Sequence, residues 1–239
     1  MLNTANSWID YSIIVVYRLA IIGIVLLIVA TAFCRANPSD QTPWEQKKLD
    51  AKNRVRKIIY DNDGDDRYLR SSSESISEEG FYSRRTSYLN KYPVNSIFYN
   101  VYTSTFCPLR VQSGEPYTVP PGSVDMVPWM HQNNTDPLHL QIKYARQNNM
   151  EIFAGFRIND IHDSYKNPED KENWIWSPWK AKHPDYLFSS WGKNPPHGKW
   201  SSLDYGQKPV RDYLLSLVKQ VADQYPVDGL HFDFNRWPV

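Results

Sequence analysis

From residue 229 to 234 the chain reads Gly-Leu-His-Phe-Asp-Phe, apolar and polar in alternation. Laid out as a strand, this puts Leu230, Phe232 and Phe234 on one face and His231 with Asp233 on the other. Three earlier runs carry a similar signal: Arg56–Asp61, Asn95–Tyr102 and Glu151–Ile158. In the first, Ile58 and Tyr60 share one face and Ile59 and Asp61 the other. In the third, Arg157 and Asn159 lie opposite Ala154, Phe156 and Ile158. Between the runs the period changes to that of a helix. Asp136 caps and Pro137 opens a helix that reaches Asn149, with Leu138, Ile142 and Ala145 in a stripe. Lys208-Pro209 opens another, with Val210, Leu214, Leu217, Val218 and Val221 on its apolar face. A further helix is expected around Ser77 to Asn90. Residues 37–54 read as a polar linker, 107–134 as a Pro/Gly-containing loop, and 159–206 as a Trp-rich loop.

Strands alternating with helices predict an α/β fold with a parallel sheet and right-handed crossovers. Four such strands, with polar groups gathering after their carboxyl ends, fit the first half of a (β/α)8 TIM barrel, whose sites lie at that end. A doubly wound open sheet is the alternative, but it usually carries a Gly-rich phosphate loop after an early strand, and none is present. Half a barrel exposes two sheet edges. The expectation is therefore a TIM-barrel-like fold truncated after about the fourth strand.

Composition narrows the partners. Lys and Arg number 27 against 26 Asp and Glu, a net charge of +1, which argues against a nucleic-acid partner. Two cysteines, Cys34 and Cys107, make no disulfide framework. Near the amino terminus, Arg18 precedes an apolar stretch from Leu19 to Phe33, followed by Cys34-Arg35-Ala36. Residues 1–36 thus read as an export signal. The rival reading is a retained anchor over residues 12–34, carrying Arg18 inside it. Both place the body outside the cytoplasm, periplasmic or extracellular, with membrane contact only through that segment.

The candidate chemistry collects after the strands. A carboxylate on a buried strand costs several kcal/mol unless paired, so Asp233 stands out as a working group; its structural reading is a carboxylate held by Arg236 or Arg157. Arg157 and Asn159, with Asp160, His162 and Asp163 just beyond, are expected on the same rim, where an Arg can hold a carboxylate or a sugar hydroxyl. Asp61 and Asp63 precede Gly64 in a turn that fails the calcium-loop spacing, because that pattern wants glycine in the sixth place. Five tryptophans, Trp174, Trp176, Trp179, Trp191 and Trp200, fall in the loop after the third strand. They offer flat faces for sugar rings, or form a small core of that loop. His231 with Asp233 is a weak metal pair, since no other strand contributes a histidine.

Several motifs together resemble the glycosyl-hydrolase-like family 10 proteins. They are Arg-Lys-Ile-Ile-Tyr-Asp-Asn-Asp-Gly, Glu-Ile-Phe-Ala-Gly-Phe-Arg-Ile-Asn-Asp-Ile-His-Asp, Leu-Asp-Tyr followed by Pro-Val-Arg-Asp-Tyr, and Val-Asp-Gly-Leu-His-Phe-Asp-Phe-Asn-Arg-Trp-Pro. The likeness covers roughly residues 54–238. It implies an exported, carbohydrate-active bacterial TIM barrel of which residues 55–239 form the amino-terminal half. By resemblance Asp233 matches the acidic residue ending the family's fourth strand, and Asp160 lies in the segment after its third. The implied function is glycoside hydrolysis, with Asp233 and Asp160 as catalytic candidates. Substrate contacts are expected from Arg157, Asn159, His162, Asp61, Asp63, His231, Arg236, Trp174, Trp176 and Trp179. The partner is a carbohydrate, and neither cofactor nor metal is expected. The alternative is a non-catalytic carbohydrate-binding or scaffold protein that keeps the aromatic rim.

Overall fold

A computed structural model describes residues 43–69, 75–116, 119–165, 167–169, 174–193, 195–196 and 198–234. The export segment and Arg236 lie outside the described residues. Among the described residues no helix is long and apolar enough to cross a membrane. The chain divides into two units, Met1–Val55 and Arg56–Val239.

In the first unit, the segment read as linker contains a helix, α1 (Pro43–Asn53). The reason is local. Glu45, Gln46, Lys47, Lys48, Leu49 and Ala51 are strong helix formers, and Gln46 Nε2 donates to Asp50 Oδ1 one turn later at 2.7 Å. It has no apolar stripe to dock, which is why hydrophobic pattern alone did not reveal it.

The second unit is α/β. Its elements are β1 (Ile59–Asn62), β2 (Tyr68–Leu69), α2 (Glu78–Arg85), β3 (Ser96–Thr103), β4 (Val124–Asp125), α3 (Val127–Gln132), α4 (Pro137–Gln147), β5 (Glu151–Arg157), α5 (Pro178–Lys182), α6 (Lys208–Gln224) and β6 (Gly229–Asp233). The four longer strands form one parallel sheet in sequence order, β1-β3-β5-β6. β2 and β4 pair antiparallel in a small separate sheet. The segment taken as a Pro/Gly loop thus holds a strand and a helix, both too short for a periodic signal. The helix expected around Ser77 to Asn90 is shorter, with Ser77 Oγ capping Gly80 N at 3.1 Å.

One face of the sheet is the core. Ile97, Tyr99, Val101, Ile152, Ala154 and Phe156 pack with Leu138 and Ala145 of α4 and with Leu217 and Val221 of α6. Asp136 caps α4 through His139 N at 2.9 Å, as its position before Pro137 predicts.

The other face carries three layers. At the amino ends, Arg56 forks onto Glu151 at 2.6 and 2.8 Å, and Ser96 Oγ donates to the same carboxylate at 2.8 Å. In the middle, the Phe98 ring lies 4.8 Å from Phe153 and 4.5 Å from His231. A Cβ at Gly229 would overlap the Phe153 ring, so a larger residue there would push that ring aside. At the carboxyl ends sit Arg157, Asp63 and Asp233.

The terminal strand β6 lies at one edge of the sheet. Phe232 and Phe234 are exposed, as is Leu215 of α6. With Leu214 and Tyr205 they line an apolar groove of about 710 Å³. Among the described residues no strand pairs with the outer side of β6.

A buried carboxylate ties the layers together. Asp66, fully enclosed, accepts from Tyr99 Oη at 2.7 Å, Asn62 Nδ2 at 3.0 Å and Gln141 Nε2 at 3.1 Å. Burial pushes its pKa up to about 6, against the pull of Tyr99, Asn62 and Arg67. Because this folded value lies above the unfolded one, the folded state holds the extra proton. The group's contribution to stability therefore falls as pH rises from about 4 to about 6, by about 3 kcal/mol in all. Asp66→Asn cannot titrate and turns one acceptor into a donor facing donors. It is expected to destabilise the fold by ~1–3 kcal/mol near neutral pH and by more near pH 4.5. Urea melts of both proteins at the two pH values check this; an equal loss at both would contradict the assignment.

Candidate functional site

The turn after β1 delivers Asp63. Asn62 Oδ1 accepts from Gly64 N at 2.9 Å, and Gly64 holds φ at +73° where a Cβ would overlap the Asn100 carbonyl oxygen. Only glycine fits there. On β5, the Arg157 side chain is 9% exposed, and its Nη2 donates to Asp63 Oδ1. Its Nε lies 3.9 Å from Asp233 Oδ2 on β6, where Arg157 and Asp233 are register partners. One guanidinium thus stands between two carboxylates from different strands. Asp63 also lies 3.8 Å from Arg85, which pairs with Asp65 at 2.6 Å. The Asp63 and Asp233 side chains are 44% and 14% exposed, so solvent reaches both.

The other residues singled out from the sequence separate into groups. Asp61 is exposed on β1, and His231 is half-buried against Phe98. Asn159 donates to the Phe234 carbonyl at 3.2 Å, holding the end of β6. Asp160 turns into the protein. Its enclosed carboxylate accepts from Ser104 Oγ at 2.9 Å, His162 N at 3.1 Å and His162 Nδ1 at 2.8 Å. Burial alone would raise its pKa, but the His162 contacts and Ser104 hold it below the ordinary carboxylate range. This is the geometry of a turn anchor, with His162 as its outer partner, 45% exposed.

Asp163 is buried too. Lys180 Nζ donates to it at 2.6 Å and to the Ser201 carbonyl at 2.9 Å, while Ser201 Oγ donates to the same carboxylate at 2.7 Å. Both charged side chains are fully enclosed, and burial leaves Asp163 above its ordinary value despite Lys180. This pair is the floor of the Trp-rich segment. Trp200 donates Nε1–H to the Ser164 carbonyl at 2.9 Å and packs 5.1 Å from Trp176. Trp179 stacks on Tyr213 of α6 at 4.4 Å. Trp174 is half-buried, and Trp191 stands exposed.

The sequence reading missed a second turn at the same end of the sheet. Ser104 and Thr105 have φ of 48° and 82°, between Thr103 and Phe106, which exchange backbone hydrogen bonds of 3.1 and 2.8 Å. Two residues at positive φ closing such a pair is the type I′ pattern, normally signalled by Asn-Gly. Ser-Thr gives no such signal. Here Ser104 is held by Asp160, and Thr105 Oγ1 donates to Glu115 Oε2 at 3.0 Å.

Among the described residues, no group of three or more His, Cys, Asp or Glu is placed to hold a metal ion. The rim thus presents the carboxylates of Asp63 and Asp233 around Arg157, with Arg85 beside Asp63.

No family model matches the chain, and no curated protein matches it. The family-10 resemblance therefore rests on the motifs alone. Among solved structures the chain is similar to alpha-L-fucosidase isoenzyme 2 from Paenibacillus thiaminolyticus, at 14% identity and a TM-score of 0.43. That likeness covers 75% of this chain and 24% of the other, so the chain spans about a quarter of that structure's length. At this level the match identifies neither fold nor function.

The buried ion pair gives a direct test of the Trp-rich segment. Lys180→Met leaves the Asp163 carboxylate enclosed without its cation and is expected to cost ~3–5 kcal/mol of stability. The double variant Lys180→Met/Asp163→Leu should recover most of that loss in urea melts.

Proposed function

We propose that residues 55–239 are the amino-terminal half of a (β/α)8 barrel that acts on carbohydrate as an exported glycoside hydrolase. Asp233 is the nucleophile or base. The observation that carries this reading is the Asp233–Arg157–Asp63 group at the carboxyl end of a parallel sheet, the end at which barrel enzymes place their chemistry. Four parallel strands in sequence order support the barrel, as does the apolar groove beside β6, which suits a further βα unit. Glycoside hydrolysis uses two carboxyl groups, one protonated and one not. Asp160, enclosed in its turn, is the weaker candidate for either role. The acid then comes from a strand beyond β6. Asp61, His231 and Arg157 border the sugar.

One observation favours a non-catalytic sugar-binding protein instead. The same guanidinium contacts Asp63 and Asp233, an arrangement that also serves simply to fix two strand ends. The discriminating experiment is reducing-sugar release by protein expressed from the whole reading frame. On the catalytic reading, Asp233→Asn lowers kcat by about 10²–10⁴-fold while sugar affinity stays within about twofold. Wild-type kcat in the variant would remove Asp233 from the mechanism. Binding without turnover in the wild type would favour the second reading.

A further inference from the structure

The segment between β5 and α6 contains a cavity of its own. Its volume is about 570 Å³, and Glu169, Trp176, Asp185, Ser189, Trp191 and Trp200 contribute to its wall. That volume falls within the ~300–1,000 Å³ of small-molecule sites. Two features make it a built site rather than a gap between loops.

The aromatic wall is a fixed corner. Trp200 is buried and tethered through its indole N–H, and Trp176 packs on it at 5.1 Å with 33° between the planes. Trp191 meets Trp200 edge-on at 5.2 Å and 77°, and remains 45% exposed. An indole left so open on a rigid support offers a face to a flat apolar surface.

The frame is rigid as well. Phe188 N donates to the Ser202 carbonyl at 2.9 Å and Ser189 N to the Trp200 carbonyl at 3.2 Å, with Leu187 and Leu203 bridged in antiparallel. Beneath them lies the enclosed Lys180–Asp163 pair.

Among the described lining residues, the charges that reach solvent have one sign. Lys180 belongs to the lining, but its ammonium is engaged by Asp163 and the Ser201 carbonyl. Lys199, nearby in the chain, sits over the Tyr165 ring at 5.7 Å. What the cavity presents from its lining is the exposed carboxylates of Glu169 and Asp185 and the hydroxyls of Ser189 and Ser190. Carboxylates accept hydrogen bonds from sugar hydroxyls or ammonium groups and repel anions.

We propose that this cavity is a carbohydrate-binding subsite, distinct from the Asp233 rim, that takes a neutral or amino pyranose against Trp191 and rejects uronic acids. The inference rests on the carbohydrate reading above and adds a location and a charge class to it. The sugar's C–H face packs on Trp191, and its hydroxyls donate to Asp185 and Glu169.

The probes are cellohexaose, the hexamer of glucosamine and the hexamer of galacturonic acid, titrated into the whole protein with tryptophan fluorescence and calorimetry. The first two are expected to bind and the third not. Trp191→Ala, a change at an exposed ring, should weaken cellohexaose about tenfold. Asp185→Lys should let the galacturonate hexamer bind and weaken the glucosamine hexamer. Circular dichroism melts of both variants should match the wild type. Failure of both non-anionic hexamers to bind, equal binding of the galacturonate, or unchanged affinity in Trp191→Ala would each overturn the proposal. Hydrolysis measured in the same samples is a separate readout. Turnover without Trp191-dependent binding sinks the subsite alone, whereas Trp191-dependent binding without turnover sinks the catalytic reading alone.

Discussion

Asp66 is the constraint on which the sheet's geometry depends. A carboxylate can only accept while ionised, and here three donors from three different places converge on it. Tyr99 belongs to β3, Asn62 ends β1, and Gln141 lies on α4, whose Nε2 also donates to Thr86 Oγ1 at the end of α2 at 2.9 Å. The same Asn62 shapes the Gly64 turn through its amide oxygen, which accepts from Gly64 N. The position of Asp63, and through it of Arg157, follows from how Asp66 is satisfied. A buried acceptor with several donors is worth its desolvation only when all of them arrive together, so Asp66 joins β1, β3, α2 and α4 as a set.

The open face of the sheet repeats one device at its two ends. At the amino ends Arg56 holds Glu151; at the carboxyl ends Arg157 holds Asp63 and lies beside Asp233. Between them lie the half-buried, mutually packed rings of Phe98, Phe153 and His231. The two ends differ in exposure. Glu151 is enclosed, with a 6% exposed side chain, whereas Asp63 is 44% exposed. The amino ends are thus fastened by an enclosed carboxylate, while at the carboxyl ends Asp63 stays open to solvent.

Much of the fold was legible because it is driven by period. The stripe on α6 and the Asp136-Pro137 start of α4 follow from burial of one helix face and from a cap that acts locally, and residues 229–234 form a strand with the alternation they show even though Phe232 and Phe234 are exposed. What escaped was set by long-range pairing or by very short elements. β4 has two residues and α3 six, below the length at which a period shows. The Ser104-Thr105 turn is held by partners distant in sequence, Asp160 and Glu115. Lys180 and Asp163 gave no sign of their burial, because nothing in a lysine's neighbours announces that its ammonium will be enclosed. At the rim, alternation put Arg157 and Asp233 on one face, and the parallel register made them neighbours. Asp160 was misplaced for the opposite reason: it lies past the strand end, where alternation no longer applies.

The outer side of β6 has a practical consequence for the protein as a substance. Its backbone groups face away from the sheet, and Phe232, Phe234 and Leu215 lie uncovered beside them among the described residues. An open edge flanked by aromatic rings is a template on which another polypeptide can add a strand. With a net charge of +1 supplying little repulsion between molecules, any sample in which that edge stays open is prone to associate there.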